Sequence, residues 1–155
     1  MRKTKAARGD PLDTAGVHRM RIFLDANILF SASKSEGAVA RLIKLLLERG
    51  HECWVDDYVI TEARRNLSAK SPTSVQTLDV LLRSVQIAHR RGTETSHESL
   101  DWLPPKDRPV LSAAIQLRCD ALVTGDRTHF GAGFGKVFGG VVIHSPRSLA
   151  ESILT

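Results

Sequence analysis

Short apolar runs alternate with longer amphipathic stretches along this chain, and that alternation limits the fold more than any other feature. Arg21–Leu24, Glu52–Val55, Val85–Ile87, Ala121–Thr124 and Val141–His144 read as strands. Between them, Val39, Leu42, Ile43, Leu46 and Leu47 recur at helical spacing, with Arg41, Lys44 and Glu48 on the other face and Gly50 as a stop. Asp56 or Asp57 is placed to cap a helix running to about Ala69, with Val59, Ile60, Ala63 and Leu67 inward. Ser71-Pro72 ends it and opens a helix carrying Val75, Leu78, Leu81 and Leu82. Lys106–Pro109 opens a further helix with Val110, Leu111, Ala114 and Leu117 on its core side, and Arg147–Leu154 forms a short last one. Ser31, Lys34, Ser35 and Gly37 read as a polar break after the first strand, and residues 90–105 and 131–140 as loops. This order predicts an α/β domain with a mainly parallel sheet, and right-handed crossovers put helices on both faces.

A chain of 155 residues suits one core. The expected division is a basic, disordered arm over residues 1–19, which holds Arg2, Lys3, Lys5, Arg8 and Arg19, and a single domain over 20–155. No run approaches the length of a membrane span, and no apolar segment follows the basic N-terminus as in a secretory signal. Cys53 and Cys119 lack metal-type spacing and fit a reducing compartment, which predicts a cytoplasmic protein. The net charge of +5 is compatible with a nucleic-acid partner, although many basic surfaces serve only solubility.

In an open α/β sheet, ligands bind beyond the carboxyl ends of the strands. Asp25 ends the first predicted strand and Asp126 follows the fourth. Asp107 opens the helix before the fourth strand, and Glu62 sits on the helix after the second. Crowded carboxylates repel and take up protons unless a cation joins them. Mg²⁺ or Mn²⁺ prefers such oxygen donors, and an acidic cluster of this kind suits phosphodiester hydrolysis. Each acid also has a bland reading. Asp25, Asp107 and Asp126 could cap helices or turns, Glu62 beside Arg64 and Arg65 could belong to a solvated face, and Asn27 could bond a local amide.

The order of these motifs resembles that of the PIN-domain ribonucleases. Leu24-Asp25-Ala26-Asn27-Ile28-Leu29 is similar to their opening motif, and Val59-Ile60-Thr61-Glu62 to their helix-borne glutamate. Lys106–Leu111 with Ala113-Ala114 resembles the third acidic motif, and Cys119–Asp126 with His129-Phe130 the fourth. The likeness spans about residues 20–150, and many toxins of bacterial toxin–antitoxin pairs share it. It implies a three-layer α/β/α fold with a five-stranded parallel sheet of order 3-2-1-4-5. It also implies a Mg²⁺- or Mn²⁺-dependent endoribonuclease, with Asp25, Glu62, Asp107 and Asp126 as metal ligands and Asn27 and Thr124 in support. The implied partners are RNA, a cognate antitoxin and a second copy in a homodimer, with no membrane.

Other features are weaker. Asp120 matches an acid of the fourth motif but lies at the far end of its strand, where a structural role is expected. Gly131–Lys136 lacks phosphate-loop spacing and is expected to be a flexible loop in contact with substrate or partner. His129 has no second histidine at metal spacing and reads as structural, and Trp102 is expected to pack rather than stack on a base. A dehalogenase-like phosphatase needs an aspartate where Asn27 stands, and a receiver domain an acceptor where His89-Arg90-Arg91 stands. A catalytically idle RNA- or protein-binding module is the alternative function.

Overall fold

The computed structural model of the chain describes residues 18–89 and 99–154. The predicted basic arm therefore lies almost wholly outside the described residues, as does the first part of the 90–105 loop. The elements are β1 (Arg21–Leu24), α1 (Ala26–Lys34), α2 (Ala38–Glu48), β2 (Glu52–Asp56), α3 (Asp57–Lys70), α4 (Val75–Leu81) and β3 (Gln86–Ala88). Further along the chain come α5 (Arg108–Gln116), β4 (Ala121–Val123), α6 (Arg127–Phe130), β5 (Val137–Phe138), β6 (Val141–His144) and α7 (Pro146–Leu154). Single 3₁₀ turns cover Pro72–Ser74 and Gly131–Gly133.

All these strands join one sheet of order β3-β2-β1-β4-β6-β5. Every neighbouring pair is parallel except β5–β6. The expected 3-2-1-4-5 order is present, with β6 as its fifth strand. The sheet differs from expectation in having six strands, because residues within the glycine-rich stretch add a two-residue antiparallel edge. Two residues are too few to show a strand period in sequence. That stretch is a 3₁₀ turn followed by a strand, not the irregular loop expected.

A second difference is α1, which occupies the expected polar break. Ala26, Ile28, Leu29, Ala32 and Ser33 are buried there, and the helix packs against α3. Ser33 is buried with the apolar residues of the helix, so burial overrides a locally polar composition.

The central strands are buried on both faces, as helices on both sides of a parallel sheet require. Phe23, Leu122 and Ile143 are fully buried in neighbouring strands, each contributing about 1.5–3 kcal/mol. Register sets the site. Leu24 pairs with Val123, and Val123 with His144. The ladder runs one residue further, through Asp25 N–H to Val123 O at 3.1 Å and Thr124 N–H to His144 O at 3.0 Å. The carboxyl ends of β1, β4 and β6 thus finish in step, with Asp25 beside Thr124.

Candidate active site

Asp25 ends β1 because the chain must turn there into α1, and its carboxylate is held by both neighbours. Oδ1 accepts the Ala26 N–H at 2.7 Å. Oδ2 accepts the Thr124 hydroxyl at 2.7 Å and the Asn27 amide at 3.2 Å. Capping is thus part of its role, but the second oxygen faces β4. Thr124 is fully buried, and its Oγ1 also accepts from Asp126 N–H at 3.1 Å and Asn27 Nδ2 at 3.2 Å. Asn27 Oδ1 accepts the Gly125 N–H at 2.8 Å. Asn27 and Thr124 therefore stitch the end of β1 to the end of β4 and fix the rotamer of Asp25.

Burial is the largest influence on Asp25 and pushes its pKa up to about 6. Hydrogen bonds from Thr124 and Ala26 oppose this, and the negative charges of Asp107 and Glu62 add to it. The crowding expected from sequence is present as a field linking three of the four acids.

Asp107 lies just before α5 but makes no side-chain cap, so its side chain is left for the crevice. Burial raises its pKa, His129 opposes the rise, and Asp126 adds to it. Asp126 does cap: its Oδ1 accepts the His129 N–H at 3.0 Å. Its Oδ2 lies 2.9 Å from His129 Nδ1, and Asp107 Oδ2 lies at the same distance from that nitrogen. Neither contact is well aligned as a hydrogen bond, although weak hydrogen bonding from the His129 ring is among the influences that lower the Asp107 pKa. His129 Nδ1 and Asp107 Oδ2 are buried atoms without a hydrogen-bond partner among the described residues.

Glu62 stands on α3, past the turn that Asp56 caps through the Val59 N–H at 3.1 Å. It is partly buried and has no hydrogen-bond or ion-pair partner among the described residues, while neighbouring Arg64 pairs with Asp79 at 2.9 Å instead. One oxygen of Asp107, one of Asp126 and one nitrogen of His129 lie within 4.8 Å of one another. Asp25 and Glu62 stand outside that tight group; Asp25 is coupled to Asp107 and Glu62 through charge.

His129 has no second histidine at metal spacing in the sequence, yet it faces two of the predicted acids. Its position three residues after Asp126, on the turn which that acid caps, was the available signal. Tyr58 carried no such signal. It sits in the first turn of α3 and its hydroxyl donates to Lys106 O, tying that helix to the segment before Asp107. The negative charges of Glu62, Asp107, Asp25 and Asp56 add to burial in raising its pKa.

The remaining features are structural. Asp120, buried at the other end of β4, accepts the Arg21 N–H at 2.8 Å. Trp102 packs, with its ring stacked on Phe138 at 5.0 Å and edge-on to Phe130 at 6.4 Å. Gly133 is required by that packing, since a Cβ there would lie 2.5 Å from the Trp102 ring. The described helices include none long and apolar enough to cross a membrane.

A family model described as PIN domain matches residues 21–128. No curated protein matches the sequence. Among solved structures, the chain is similar to one in the crystal structure of VapBC2 from Rickettsia felis bound to a DNA fragment from their promoter. That likeness has 16% identity and a TM-score of 0.59, and covers 81% of this chain and 98% of that one. At such identity it establishes a shared fold.

Proposed function

The chain belongs to the PIN-domain family, and from that premise we propose that it is a Mg²⁺- or Mn²⁺-dependent endoribonuclease acting in the cytoplasm. Family membership supports a nuclease at the level of class. The finer reading is supported by one observation: Asp25, Glu62, Asp107 and Asp126 come from four separate segments and lie close enough to interact through charge, and burial raises the pKa of both Asp25 and Asp107.

The donor set fits a hard divalent ion. Asp25, Glu62, Asp107 and Asp126 offer carboxylate oxygens, Glu62 is unengaged among the described residues, and Asp107 Oδ2 is buried without a hydrogen bond. These four residues would hold such an ion, and the chemistry it would supply there is water activation and charge neutralisation at the scissile phosphate. The protein's own contribution is placement. Thr124 and Asn27 hold the Asp25 carboxylate in one orientation. The cap on His129 N–H does the same for Asp126. Tyr58 braces the backbone at Lys106, next to Asp107. The excess positive charge of the chain, net +5, would then offset the repulsion between the carboxylates and an RNA backbone.

The same reading makes this protein the toxin of a toxin–antitoxin pair, neutralised by a cognate antitoxin and assembled as a homodimer. The VapBC2 likeness supports the toxin–antitoxin part of this reading, through the fold alone. RNA cleavage by the wild type and by Asp25→Asn, with and without EDTA, tests the chemistry. The expected result is cleavage by the metal-loaded wild type only. Equal rates for the two proteins, or cleavage that survives EDTA, would sink it.

A further inference from the structure

We propose that His129 is an additional ligand of the cation at Asp107 and Asp126, giving this site a nitrogen donor that favours Mn²⁺ over Mg²⁺. The inference rests on the metal-dependent reading above and adds a residue to it.

Local structure aims three donors at one point. The Asp126 cap on the His129 N–H fixes both residues of that pair relative to each other and leaves Asp126 Oδ2 toward the ring. Asp107, which caps nothing, brings its Oδ2 to the same nitrogen from the start of α5. Adjacent ligands of an octahedral ion with bonds of about 2.1 Å lie about 3 Å apart. The two 2.9 Å separations around Nδ1 match that spacing, so an ion needs only a small shift of these side chains.

An ordinary ion-pair clamp gives a similar length, but it requires the ring N–H to point at a carboxylate oxygen. Nδ1 and Asp107 Oδ2 are both buried and neither has an aligned hydrogen bond among the described residues. With an ion bound between the carboxylates, the Nδ1 lone pair would face it and the ring proton would sit on Nε2. Imidazole nitrogen suits transition metals, whereas Mg²⁺ is served by oxygen, so this donor set separates the two ions.

The test is pulsed electron paramagnetic resonance of Mn²⁺ bound to the full chain, compared with His129→Gln and His129→Asp. The wild type is expected to show coupling to a directly bound ¹⁴N, and both variants to lack it. His129→Asp keeps an oxygen donor in reach and is expected to retain Mn²⁺ without the nitrogen signal. By titration, His129→Gln should weaken Mn²⁺ about tenfold and Mg²⁺ by no more than about twofold. Circular dichroism checks that each variant folds. The proposal is overturned if the wild type binds no Mn²⁺, if its Mn²⁺ is bound by oxygen alone, or if the nitrogen signal persists in His129→Gln. RNA plays no part in this readout. A chain that binds Mn²⁺ through His129 and cleaves no RNA keeps this inference and loses the nuclease, and RNA cleavage with all-oxygen Mn²⁺ does the reverse.

Discussion

Replacing Asp25 by asparagine should alter stability in a manner that depends on pH, with a sign set by burial. A carboxyl moved from its ordinary 3.8 to about 6 binds its proton more tightly folded than unfolded. Folding then takes up protons between those values, so stability is highest below the ordinary value and falls as pH rises through the folded one. The full cost of ionising Asp25 in the fold is about 3 kcal/mol, of which about 2–3 kcal/mol develops between about pH 4 and about pH 8. The difference between Asp25→Asn and wild type carries one further contribution that does not change with pH. The new side-chain amide must face a donor, either the Ala26 N–H or the Thr124 and Asn27 pair. Protonated wild-type Asp25 carries an O–H into the same donors, so in acid the mismatch is shared and the two proteins differ by about 1 kcal/mol or less. The variant is therefore expected to match wild type to within about 1 kcal/mol in acid and to exceed it by about 2–3 kcal/mol in neutral solution. Urea unfolding of both proteins in EDTA, across that pH range, measures the difference directly. A difference that stays flat to within about 1 kcal/mol would refute the burial argument.

Thr124→Val removes the hydroxyl that serves Asp25, Asp126 and Asn27 together; a loss of about 1–3 kcal/mol at neutral pH is expected by denaturant unfolding, and a change below about 0.5 kcal/mol would dissolve the proposed network. Asp120→Ala should cost a similar amount by removing the acceptor of the Arg21 N–H, yet leave Mg²⁺ affinity by calorimetry unchanged, since that acid sits at the opposite end of β4. Gly133→Ala drives a methyl into the Trp102 ring; about 1–3 kcal/mol of stability should be lost together with a shift in tryptophan fluorescence, and an unperturbed spectrum would count against the packing described. Mg²⁺ at about a hundredfold excess over Kd should stabilise the wild type by about 3 kcal/mol, an increment that Asp126→Asn abolishes; equal stabilisation of both would place the ion elsewhere.

Much of the architecture was legible because it is written in local patterns. The helical spacing over Val39–Leu47, the Asp56 cap and the breaker at Ser71-Pro72 each depend on residues within a few positions of one another. The two elements that escaped are those whose reasons are not local. Helix α1 forms across a serine-rich segment because its apolar side is covered by α3. Strand β5 exists only because β6 is there to pair with it.

The acids divide in the same manner. Chain order alone determined that Asp25 and Asp126 would stand at one edge of a parallel sheet, because strands in such a sheet share a direction and end on the same side. Tertiary structure decided what each carboxylate does there. It gave Asp25 a buried setting and three donors, turned Asp107 away from the cap that its sequence permits, and set the buried His129 nitrogen between two carboxylates. Those outcomes rest on dehydration and on angstrom-scale distances between residues far apart in sequence, and the hydrophobic period of a strand or helix carries neither.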